Sequence, residues 1–147
     1  METVWDKTVK VLAAIAGAVA GIFGGWDKLL IVLVAMMAVD YVSGLVVAWL
    51  GRSQKTEYGG LSSKVGAHGL AKKGLMMLVV LIAALLDKAI GTAGAMCRDA
   101  ACWFYIANEG ISLLENLSLA GVPFPQKIKE LLGQKKDEAD GGEGEQG

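Results

Sequence analysis

Four apolar runs divide the chain, over residues 9–25, 29–50, 74–90 and 100–121. None alternates with the period of two that a half-buried strand needs, so the pattern predicts helices throughout. The second run, LLIVLVAMMAVDYVSGLVVAWL, has 22 residues and one charge, Asp40. At about 1.5 Å per residue it reaches about 33 Å, enough to cross a hydrocarbon core of about 30 Å. Trp26 and Trp49 flank it, where amphipathic rings favour the membrane interface. Only Trp26-Asp27-Lys28 separates it from the first run, which predicts a tight hairpin. The expected fold is an all-α integral membrane protein. It is a small bundle of about four transmembrane helices, or three if the first run is interfacial or cleaved. The run ending Ala18-Val19-Ala20 has the look of a signal-peptide cleavage site, but Glu2 and Asp6 weaken the match.

The polar positions inside the apolar runs carry the next step. Asp40, Ser43 and Gly44 fall on one face of the second helix. A charged Asp at mid-membrane costs about 2.5–3.5 kcal/mol, whereas the twelve Leu, Ile and Val residues of that run return about 4–7 kcal/mol. The helix therefore inserts, with Asp40 facing protein or water. The fourth run fails the same sum. Its seven Leu, Ile and Phe residues return about 2–4 kcal/mol, less than its polar groups cost in lipid. Asn108, Ser112 and Glu115 follow i, i+4, i+7, and Glu109, Ser112 and Asn116 follow i, i+3, i+7. Together they form one polar stripe, with Ile106, Leu113 and Leu117 on another face. The stripe needs a neighbouring Asp40, the same stripe on a second subunit, or an aqueous lumen. Paired glutamates can also serve acid–base catalysis, but nothing else in the chain offers a substrate-positioning shell, so an enzyme is not expected. In the first run Ala13, Gly17, Gly21 and Gly25 recur every four residues, a smooth face for close helix packing within the subunit or between subunits.

Charge orients the bundle. The chain carries 14 Lys and Arg against 15 Asp and Glu, a net charge of -1, which leaves no global basic footprint for nucleic acid. With both termini cytoplasmic, only Lys28, Lys88 and Arg98 lie outside and the other basic residues lie inside. The C-terminus stays cytoplasmic even without the first span. Arg52, Lys55, Lys64, Lys72 and Lys73 give the segment between the second and third runs a basic, membrane-surface loop character, attractive to anionic lipid. Mean hydropathy of +0.47 and 54% hydrophobic residues agree with a bilayer as partner. Two cysteines, Cys97 and Cys102, and one His, His68, give no metal-binding spacing, and no cofactor is expected. Pro123 and Pro125 stop the fourth helix, and residues 126–132 read as a short amphipathic surface helix. Residues 1–133 make the membrane domain. Residues 134–147, GQKKDEADGGEGEQG from Gly133 on, read as a disordered charged tail.

Three ordered motifs carry a family resemblance: VDYVSG, then LSSKVGAHGLAKKG, then FYIANEGISLLENLSLAGVPFPQKIKELL. Over residues 29–132 the chain resembles the toxin secretion/phage lysis holin family (phage holin family 4). The positions that match are Asp40 and Gly44, then Leu61, Ser62, Ser63, Gly66, Gly69 and Lys73. They continue with Asn108, Glu109, Ser112, Glu115, Asn116, Pro123 and Pro125. The resemblance implies a small phage-encoded protein that accumulates in the host bacterial cytoplasmic membrane. Such proteins form homo-oligomers and open timed lesions through which an endolysin, or in some relatives a toxin, leaves the cell. Direct contact with the endolysin is not required. A selective ion or proton channel and a non-conducting antiholin-type regulator are the alternative functions.

Overall fold

The computed structural model describes residues 3–91, 94–123, 125–128 and 130–131. Among the described residues the main elements are four helices: α1 (Val4–Ile22), α2 (Lys28–Trp49), α3 (Ser63–Ile90) and α4 (Met96–Ala120). No strand occurs among the described residues. The tail at 134–147 lies outside them, as do Lys129 and Leu132 of the short helix expected at 126–132. Residues 126–128 and 130–131 of that segment are helical.

Local chemistry starts and stops each helix. Thr3 and Asp6 form a reciprocal capping box on α1. Asp27 caps α2 by accepting from the Leu30 N–H at 2.9 Å. Ser62 caps α3 through the Val65 N–H. The start of α4 has no cap from its own preceding residue. Instead the Asp87 carboxylate of α3 accepts from the backbone N–H groups of Cys97 and Arg98, both at 2.9 Å. Gly121 ends α4 in the left-handed region at φ 84°, which a side chain would strain. Between α2 and α3, Gly59 approaches the Gly51 backbone so closely that a Cβ would collide with the carbonyl oxygen.

α3 starts about ten residues earlier than the apolar run at 74–90 suggests. Lys64, His68, Lys72 and Lys73, expected in a basic surface loop, are therefore helical. The reason is an inward face spaced three and four apart: Gly66, Gly69, Lys73, Met76, Val80, Ala83 and Asp87. Apart from Leu70, the outward positions of this first part of α3 are polar or small, so average hydropathy hides the helix. α2 carries the same spacing in Leu30, Leu33, Met37, Asp40, Gly44 and Val47.

α2 and α4 pack along much of their length, α3 lies mainly on α4, and α3 runs opposite to both. Leu30, Leu33, Met37, Met76, Val80, Cys102 and Ile106 form one buried apolar cluster. α1 stands apart. Residues 4–19 are all exposed, and it meets the bundle at Ala20 and through Lys88, which donates to the carbonyls of Gly21 and Ile22 at 3.1 and 3.2 Å.

α2 and α3 are long and apolar enough to cross a membrane, with mean hydropathies of 2.4 and 2.0. Only 28% and 22% of those windows is buried inside the protein. A soluble core helix buries most of its apolar surface; these two helices present theirs outward.

Candidate functional site

The three inward faces of α2, α3 and α4 meet in a charged layer. Lys73 Nζ donates to Asp40 Oδ2 at 2.8 Å and to Glu109 Oε2. The side chains of Lys73, Asp40 and Glu109 are 12%, 9% and 3% exposed, so the bundle covers most of the layer. Asp40 lies nine residues before the end of α2, Lys73 ten after the start of α3 and Glu109 eleven before the end of α4. Each is thus about 15 Å in from the same end of the bundle, the end that carries the 51–62 loop. That is half the thickness of a hydrocarbon core of about 30 Å.

A second set of bonds extends the layer toward the loop. Asn116 Nδ2 lies 3.1 Å from Asp40 Oδ1, 3.3 Å from the Asp40 carbonyl and 2.9 Å from Ser43 Oγ. Ser43 donates back to the Asp40 carbonyl at 2.8 Å. Glycines stand beside these groups, at distances an added Cβ would meet as ordinary contact. A Cβ at Gly44 would stand 3.6 Å from Asn116 Nδ2, and one at Gly66 3.4 Å from the Tyr41 hydroxyl. Closer still to the loop end, Arg52 donates to the Leu119 and Ala120 carbonyls at 3.4 and 3.2 Å and covers the exposed end of α4.

The polar stripe of α4 therefore divides. Glu109 and Asn116 are buried against α2 and α3. Asn108, Ser112 and Glu115 are less covered and line a cleft of about 370 Å³ that runs from the 51–62 loop to the charged layer, where Glu109 forms part of its wall. Lys55, Lys72 and Lys73 line it too. A neighbouring cleft of about 390 Å³ shares Gly44, Ser53, Lys55, Ser112 and Glu115. Of the five basic residues assigned to a surface loop, Arg52 and Lys55 lie in the 51–62 loop and Lys64 and Lys72 on the exposed side of α3. Lys73 is corrected to the buried layer. Sequence reading missed it because it stands beside Lys72 in a polar stretch. Its 3-4 spacing with Gly66, Gly69, Met76 and Val80 is the signal that finds it.

The packing residues proposed in α1 are not brought to the site. Nothing lies within 4 Å of a Cβ at Gly17, Gly21 or Gly25, and Ala13 is exposed. Ala13, Gly17 and Gly21 are thus an open row on α1, whereas Gly25 lies beyond its end, in the turn before α2 at φ 100°, and does not continue the helical face.

The opposite end of the bundle holds a separate ionic cluster. Arg98 Nη1 donates to Asp27 Oδ2 at 2.6 Å and to Asp99 Oδ1 at 3.3 Å. The Arg98 hydrogen bond holds the Asp27 carboxyl at about 2, well below the usual carboxylate range. Cys97 and Cys102 are free thiols. Among the described residues no group of His, Cys, Asp and Glu is arranged to hold a metal ion.

Comparison with known proteins gives a consistent assignment. Residues 17–137 match the bacteriophage holin family. The chain is 32% identical over 108 residues to a probable holin of Bacillus phage phi105, covering 74% of each chain. It is 40% identical over 113 residues to a 14.9 kDa protein encoded 3′ of nagH in Clostridium perfringens, covering 77% of this chain and 80% of that one. It is 42% identical over 118 residues to the protein Lmo0128 of Listeria monocytogenes, covering 79% and 78%. No solved structure matches the chain.

Proposed function

The chain belongs to the bacteriophage holin family, and on that premise we propose that it is a lesion-forming holin of the host cytoplasmic membrane. Copies of the chain oligomerise in the bilayer and open holes at a set time. An endolysin, or a toxin, then passes outward without having to touch the holin. The work is done by membrane permeabilisation, with no catalytic step.

The observation that carries the reading is the Lys73–Asp40–Glu109 layer and the polar face that continues from it. In one subunit α2 and α3 cover half of the α4 stripe, which allows a helix too polar for lipid to cross as a third span. Asn108, Ser112 and Glu115 stay open to the cleft, ready to meet a second copy or water. In small assemblies this face is buried against polar partners. In large ones it lines water, so growth of the assembly favours an open hole. Asp40, Ser43 and Asn116 hold the α2–α4 pair that carries the face. The open Ala13, Gly17 and Gly21 row on α1 supports packing between copies.

Three crossings by α2, α3 and α4 put the 51–62 loop and the C-terminus on one side. The basic residues there favour the cytoplasm and contact with anionic lipid headgroups. A fourth crossing by α1 leaves that orientation unchanged.

The test is expression of the chain with an endolysin in a bacterial host. Abrupt lysis and release of folded endolysin support the reading. Leakage of ions without endolysin makes the protein a small channel, and delayed lysis beside an active holin makes it a regulator. In the same assay Glu109→Gln with Glu115→Gln should change lysis timing; timing identical to that of the unmodified chain would remove the stripe from the mechanism.

A further inference from the structure

The charged layer is also a boundary between two kinds of interior. On its loop side lies the cleft, lined by groups such as Tyr41, Thr56, Ser62, Lys72, Ser112 and Glu115. Its volume of about 370 Å³ has room for on the order of ten waters. Thr56 and Ser62 bond within the chain. Hydrocarbon tails would desolvate the Lys72 and Glu115 charges and the Tyr41 and Ser112 hydroxyls, whereas water satisfies them. On the other side the lining changes within one turn. Met37, Met76 and Ile106 each lie three residues from Asp40, Lys73 and Glu109, away from the loop; all three are buried, and Met76 forms the inner end of the cleft. Leu33, Val80 and Cys102 follow, each with 0% exposure, and then Leu30 at 1%. From Asp40 to Leu30 is ten residues of helix, about 15 Å of closed apolar packing.

We infer that each subunit contains a one-sided aqueous inlet, open at the 51–62 loop and ending at the Lys73 layer, with the Leu33–Val80–Cys102 cluster as the apolar gate that seals it. This rests on the reading of α2, α3 and α4 as a membrane bundle, but not on the size of any hole. Water and small cations reach mid-membrane from one side in the closed subunit. Wetting of the apolar cluster, the way hydrophobic constrictions gate, is what joins the two sides.

Thiol labelling in membrane vesicles of both orientations tests this directly. The full chain with Cys97→Ala keeps Cys102 as a reporter inside the gate. Ser112→Cys on α4 and Val65→Cys on α3 each add a reporter in the cleft, and Tyr58→Cys, 92% exposed, marks the loop side. The probe is a small, cationic, membrane-impermeant methanethiosulfonate. Ser112→Cys and Val65→Cys should react from the same side as Tyr58→Cys, within about tenfold of its rate. Cys102 should react from neither side until the membrane is dissolved in denaturing detergent. If Tyr58→Cys reacts while both cleft cysteines stay silent, lipid or another copy fills the cleft and the inference fails. If Cys102 reacts as fast as Ser112→Cys, there is no gate and it fails as well. Neither result depends on lysis. A chain that labels as expected but never lyses cells would overturn the holin reading and leave the inlet standing.

Discussion

Lys73→Met is the most demanding test of the buried layer. The methionine keeps most of the side-chain volume and removes the charge, which leaves Asp40 and Glu109, 9% and 3% exposed, with no cation between them. At an effective dielectric of about 20, a pair 2.8 Å apart attracts by about 6 kcal/mol, and the Glu109 contact adds a second such term. Desolvation of three ions offsets most of that gain, so the net worth of the layer is small. The cost of breaking it is not small, because two carboxylates stay buried and repel each other. Losing one partner of a buried pair costs about 3–5 kcal/mol, and Lys73→Met should destabilise the bundle by that amount. Unfolding in mixed micelles by added dodecyl sulfate, followed by far-UV circular dichroism, measures it. Adding Asp40→Asn and Glu109→Gln to Lys73→Met should recover most of the loss, since no uncompensated charge then remains. A single variant within about 1 kcal/mol of the unmodified chain would mean that Lys73 contributes no more than a surface pair, and the layer would lose its structural role.

Other perturbations separate the remaining parts. Gly17→Ile and Gly21→Ile project from a face where an added Cβ meets no neighbour within 4 Å, so helix content should hold while the oligomer population in mild detergent falls; an unchanged oligomer would take α1 out of the assembly. Val80→Thr changes almost no volume but places a hydroxyl at a 0% exposed position in the apolar cluster, and potassium leak before lysis should rise several-fold over that of the unmodified chain. Asp27 has a depressed folded-state value of about 2 against 3.8, so its contribution is present above pH 4 and is lost as pH falls through 2. The difference in thermal midpoint between the unmodified chain and Asp27→Asn should therefore be constant above pH 5 and shrink toward zero near pH 2; a difference that grows on acidification would contradict the Arg98 pairing.

How much of this was legible beforehand depends on which physical signal each element carries. α2 is visible by length and apolarity alone, because almost every side chain on it tolerates lipid. The need of the α4 stripe for partners follows from an insertion sum that does not close, and Asp40 was among the partners the sequence offered. The division of the stripe was not legible. Asn108, Ser112 and Glu115 on one side and Glu109 and Asn116 on the other differ by a fraction of a helical turn, and only the position of α3 decides which are covered. Lys73 was hidden for a different reason. A lysine beside a second lysine in a glycine-rich stretch has the composition of a loop, and its helical register shows only when Gly66 and Gly69 are counted as inward positions that admit Tyr41. The isolation of α1 could not be read from its small residues, since a row of glycines is equally suited to a partner in the same subunit or in another.

The layer also bears on why a protein of this kind would keep ions in its interior. An apolar layer of the same volume would give an equal or more stable bundle. It would also remove the features that make α4 conditional. With leucine at 73 and 109, α4 could pack against any apolar neighbour in any register, and its polar stripe would have no fixed depth. Lys73 admits only an arrangement that brings two carboxylates from two different helices to one point, so α2, α3 and α4 are locked at a single register about 15 Å from the loop end. At that depth the polar cleft stops and the apolar cluster begins. The same three side chains that fix the register therefore stand at the inner end of the water path. A change that parts Lys73 from either carboxylate loosens the packing and exposes charge to the apolar cluster at the same place. On the proposed reading, coupling of this kind favours all-or-none opening, because a half-broken layer leaves a buried charge without its partner.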